Sequence, residues 1–113
     1  IEQWQQTLAF DPDNGNAANN LGWILATSPD ATLRDGAKAV AYGKRATNVP
    51  GGDNPVVYRT LAAAYAENGQ FADAISAAEH AKQLAQATSN SELVGELDRC
   101  IELFRQQRTL RAP

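Results

Sequence analysis

One histidine and one cysteine leave little room for catalysis in these 113 residues. His80 has no second histidine with which to relay a proton or to build the paired nitrogen ligands of a zinc site. It lies beside Ala81 in a helical pattern and is expected at the surface. Cys100 falls on an apolar stripe, with only Arg99 beside it to lower its pKa, so it reads as a small buried hydrophobe. The acidic pairs Asp11/Asp13 and Asp30/Asp35 stand at helix entrances, where capping accounts for them without a metal. Gly51-Gly52 lacks the Lys-Ser/Thr spacing of a phosphate loop. The chain is therefore expected to be no enzyme and to hold no metal or cofactor.

Composition narrows the partners. The net charge of −3 argues against nucleic acid, which calls for a clustered basic face; Lys38, Lys44 and Arg45 read as solvated helix surface. No apolar run approaches the ~20 residues that span a bilayer, so no membrane insertion is expected. One cysteine is silent about the redox compartment, and localisation stays open. The chain has no methionine and begins Ile-Glu-Gln-Trp, which suggests a piece excised or trimmed from a longer protein. Alanine dominates the apolar residues, and alanine both favours helix and lets helices approach closely, so the expected class is all-α.

The central stretch, residues 54–87, shows how such helices would be arranged. Tyr58, Leu61, Ala62 and Tyr65, then Phe71, Ala74, Ile75, Ala78 and Ala81, recur at helical spacing on either side of a polar break, Glu67-Asn68-Gly69-Gln70. An earlier helix over 16–27 repeats the first spacing with Ala18, Leu21, Gly22 and Leu25. Gly22 in a helix interior costs about 1 kcal/mol against alanine, which implies a neighbouring helix too close for a side chain. Pro29 stops that helix, and a connection about five residues longer than the next one leads to a helix over 35–48 with Ala39, Val40, Gly43 and Ala46 inward. Asp30 or Asp35 can cap it, and Asn54 before Pro55 caps the next. An opening helix carries Ile1, Trp4, Thr7, Leu8 and Phe10 before Asp11-Pro12-Asp13-Asn14. A closing amphipathic helix spans 92–107, with Leu93, Leu97, Cys100, Ile101 and Phe104 inward and Glu92, Glu96 and Arg99 outward. Residues 108–113 are expected to fray.

This pattern, Tyr58-x2-Leu61-Ala62-x2-Tyr65 followed by Ala74-x3-Ala78-x2-Ala81, resembles the tetratricopeptide repeat, a helix–turn–helix unit of about 34 residues. The Asp-Pro-x-Asn after the opening helix is of the kind that ends such repeats. The resemblance implies a right-handed superhelix of about six helices. Residues 1–14 would end a preceding repeat, 15–50 and 54–88 would be two repeats, and 90–107 would be a capping helix. The alanine-rich style is of a bacterial kind.

What the family implies is a non-catalytic interaction module whose first helices line a concave groove for a peptide or partner protein. On this chain the groove set would be Asn16, Asn19, Asn20, Trp23 and Thr27, then Val56, Arg59, Thr60, Ala63 and Glu67, with Asn19, Asn20, Trp23, Arg59 and Ala63 the foremost contacts. Three asparagines in one helix need a reason, and capping supplies one for Asn16 only. Leu21 to Ala26 are six nonpolar residues in a row, so Trp23 must find cover. It could lie under the 28–34 loop, the reading favoured by the position of that insertion, or floor the groove as an anchor. The Lys, Asn and Arg set with which some family members grip chaperone C-termini is not matched, since Asn19 and Trp23 stand in its first two places. The alternative function is structural, acting through the end faces: a stacking or self-assembly segment of a longer array or an accessory domain of a larger enzyme, with homo-oligomers formed through the uncovered opening helix with Trp4 and Phe10.

Overall fold

Short polar side chains start most of the helices. The described residues, 1–112 of a computed structural model, form six α-helices and no strand: α1 (Glu2–Phe10), α2 (Gly15–Thr27), α3 (Gly36–Thr47), α4 (Pro55–Glu67), α5 (Phe71–Ala87) and α6 (Ser91–Arg105). Asn14, Asp35, Asn54 and Asn90 each accept a first-turn amide N–H at the starts of α2, α3, α4 and α6. Pro55 follows Asn54 in the first turn, where its missing N–H costs nothing. The cap of α2 is thus Asn14 and not Asn16, which is exposed two residues further on.

The last three helices end alike. After α4, Gly69 turns left-handed at φ 77°, the Gly69 N–H donates to Ala66 O, and the Gln70 N–H reaches back to Tyr65 O. Ser89 repeats this after α5 and Gln107 after α6, both at φ 57°, with Asn90 bonded to Ala85 O and Arg108 to Leu103 O. All three are Schellman closures, which satisfy the last carbonyls and reverse the chain direction.

α2 packs on α3, α4 lies against both, α5 packs on α4 and α6 on α5, with α1 resting on α2. Bare backbone makes the central meeting tight. A Cβ on Gly22 would stand 3.1 Å from Thr60 Cγ2 and 3.4 Å from the Gly43 nitrogen; one on Gly43 would stand 3.2 Å from Leu61 Cα. The close neighbour expected at Gly22 is therefore two helices, α3 and α4. Leu21 and Leu61, at 0% and 6% exposure, belong to a core built mainly of alanine.

Two expectations are corrected. α6 stops at Arg105, with Gln106 and Gln107 forming its closing turn. The segment 108–112 is docked rather than frayed: Ala112 N–H donates to Thr27 O at 2.9 Å, and Leu110 is half-buried against the core, while Pro113 lies outside the described residues. The 28–34 connection is also well held. Arg34 Nη1 donates to Ser28 O at 2.8 Å, and Asp30 accepts from the backbone and hydroxyl of Thr32.

Candidate binding face

α2, α4 and α6 contribute one face, and three long side chains cross it in series. The guanidinium of Arg59 on α4 lies 4.6 Å from the ring centroid of Trp23 on α2, and its Nη1 donates to Glu96 Oε1 on α6 at 2.6 Å. The ring quadrupole attracts the cation from one side and the carboxylate holds it from the other. The indole packs against a buried cluster that contains Leu25 and Ala26 of α2, Ala39 and Val40 of α3, and Ala63 and Ala64 of α4. Arg34 of the 28–34 loop turns back on Ser28 O and Pro29 O and meets Glu67, while Arg59 stacks on Trp23.

The structure sorts the residues expected on the face. Trp23 and Arg59 are together and half-exposed, and Asn19 and Asn20 are half-exposed on the same helix as Trp23. Ala63 is not a contact: at 1% exposure it is sealed under the indole, because α2 and α4 approach closely there. Thr60 is sealed for the same reason, its methyl filling the space beside Gly22, and Thr27 is wholly buried with its hydroxyl donating to Trp23 O. Asn16 and Val56 are exposed and, with Asn19, line a hollow of about 370 Å³ between the starts of α2 and α4. Two polar atoms on the face have no partner although buried: Asn19 Oδ1 and Arg59 Nε. Glu96, expected to point outward into solvent, belongs to this face.

The opposite end of the face gathers one carboxylate and two guanidinium groups. Glu67, whose side chain is 17% exposed, closes α4 and meets Arg34 Nε at 3.7 Å and Arg111 Nη1 at 2.8 Å. Arg111 Nη1 also reaches Ala26 O at 3.4 Å, near the last carbonyls of α2. Arg34, Glu96, Leu110 and Arg111 carry no local signal, since each acquires its role from a partner distant along the chain.

Residues outside the face have structural roles. Cys100 is 3% exposed; burial pushes its thiol above the ordinary 9.0, and the Glu96 carboxylate adds to the shift, against the pull of Arg59 and Arg99. His80 is half-buried rather than plainly on the surface. Its Nε2 is 2.9 Å from Asp53 Oδ1, and its ring meets Tyr58 edge-on at 4.3 Å, tying the 50–54 turn to α5. Among the described residues no three His, Cys, Asp or Glu side chains are grouped to hold a metal, and no helix is long and apolar enough to cross a membrane. Compared with family models, curated proteins and solved structures, the chain matches none.

Proposed function

We propose that the chain is a non-catalytic protein-interaction module of tetratricopeptide type, taking a peptide segment of a partner protein on the α2–α4–α6 face. Trp23 supports this reading most: a half-buried indole, stacked by a guanidinium, stands on a face shared by three helices. Aromatic and arginine side chains in that setting carry a large share of binding energy at protein interfaces. Asn19 and Asn20, half-buried on the same helix as Trp23, supply side-chain amides to a backbone laid across the face. Further helix pairs stacked in the same way would continue a right-handed superhelix and lengthen the groove. Capture of partners from a cell extract by the wild type, and their loss on combining Trp23→Ala with Arg59→Ala, is the expected result; an unchanged set of partners would reject the face.

One observation favours a second reading, association through the end of the stack. Phe10 is 92% exposed on α1, whereas Trp4 packs on the Leu8–Leu21 cluster. Light scattering should then reveal concentration-dependent dimers that Phe10→Asp abolishes. A monomer at all concentrations would leave only the face.

A further inference from the structure

The far end of the face already holds a piece of protein. From the Gln107 turn the chain runs back over the C-terminal ends of α4 and α2. It places Leu110 against the two central core clusters, Arg111 on Glu67 and the Ala112 N–H on Thr27 O. The seat has a definite chemistry. Helix C-termini concentrate partial negative charge, and here α2 and α4 end side by side with a largely buried carboxylate between them, which Arg34 meets only at 3.7 Å. A guanidinium answers that charge, a backbone N–H answers the Thr27 carbonyl, and an aliphatic side chain answers the apolar patch. The present occupant answers it incompletely. Arg111 Nη1 stands within 2.8 Å of Glu67 Oε1, yet that buried oxygen receives no aligned hydrogen bond. Only Arg108 and Thr109 separate the closing turn of α6 from Leu110, a short tether that limits how the guanidinium can be aimed.

Resting on the interaction reading above, we propose that this seat recognises a partner segment bearing an aliphatic residue followed directly by arginine, and that Leu110–Arg111 fills it until such a segment displaces them. The partner's arginine lies between Glu67 and the Ala26 carbonyl, its aliphatic side chain replaces Leu110, and the next N–H pairs with Thr27. Tethering gives the resident segment an effective concentration on the order of millimolar, so a competing peptide binds the intact chain weakly and a partner succeeds by also engaging Trp23 and Arg59.

The test uses the full chain, isotope-labelled, carrying Leu110→Asp and Arg111→Glu to empty the seat, and a blocked peptide Gln-Arg-Thr-Leu-Arg-Ala. Saturable shifts of the Thr27 and Glu67 amides and the Trp23 indole N–H are expected. Affinity should be at least tenfold lower for the wild type, and binding should be lost when the second arginine of the peptide is glutamate or when Glu67→Gln is added. Circular dichroism establishes that the double variant is folded; if it is not, Arg111→Glu alone serves. No saturable binding to a folded, emptied variant overturns the proposal, as does equal binding to the wild type. If the peptide fails while Trp23→Ala with Arg59→Ala still removes partners, the seat is discarded and the face stands. A bound peptide with unchanged partners keeps the seat and discards the wider face.

Discussion

Trp23 and Arg59 hold each other in place before any partner arrives. Removing the indole strips cover from Ala63 and Ala64, so Trp23→Ala should cost about 2 kcal/mol in urea unfolding, below the full value for a buried aromatic because the ring is half-exposed. Arg59→Lys keeps the charge but not the planar stack, and should cost under about 1 kcal/mol. Cys100 makes a prediction of the opposite kind. Burial, with Glu96 adding to it, holds the folded thiol above 9.0, so the unfolded chain ionises first as pH rises. Stability from this residue is intact below 9.0 and is lost as pH climbs through and beyond that value. Denaturation midpoints of the wild type should therefore fall above pH 9.0 with a slope that Cys100→Ala removes. The inward stripe made the burial of Cys100 readable from sequence. The loss of Ala63 and Thr60 to the core was not readable, because helical spacing gives a direction but not how near the next helix comes.

Helix ends show what local chemistry discloses and what it hides. Asn54-Pro55 and Asp35 announce their helices, and Gly69 announces a stop, since each acts through its own neighbours. Ser89 and Gln107 turn the chain in the same way without glycine, so the matching closures of α5 and α6 leave no mark in composition. An L-residue in that conformation is strained by roughly 1–2 kcal/mol, partly offset on substitution by the extra freedom glycine gives the unfolded chain. Gln107→Gly and Ser89→Gly should each raise the unfolding free energy by about 0.5 kcal/mol, and Gly69→Ala should lower it by about 1 kcal/mol, all measured in urea. A loss of stability on Gln107→Gly would mean that its side chain, rather than the turn, matters there.

At the scale of the whole molecule, the helix pattern was legible because short-range periodicity fixes it, whereas the cross-links were not. Arg59 and Glu96 are 37 positions apart, and Arg111 and Ala26 are 85 apart. Such pairs depend on which helices lie side by side, and no local motif encodes that. Arg111 ties the segment after α6 to the end of α2. Arg111→Ala should therefore speed amide hydrogen exchange at the end of α2 by several-fold while leaving the middle of α5 unchanged. Equal rates at Thr27 and its neighbours would show that the contact bears no weight.

The Ala112–Thr27 hydrogen bond makes this stack something other than a row of dominoes. It joins the strand leaving the last helix to a helix four places earlier, so the polypeptide between them forms a ring with a clasp. Melting of the closing helix then has to unfasten the clasp first, and the early pair feels the event at once. A molecule built this way should lose its structure in one step rather than peel helix by helix, and whatever opens the clasp would loosen both margins of the ring together.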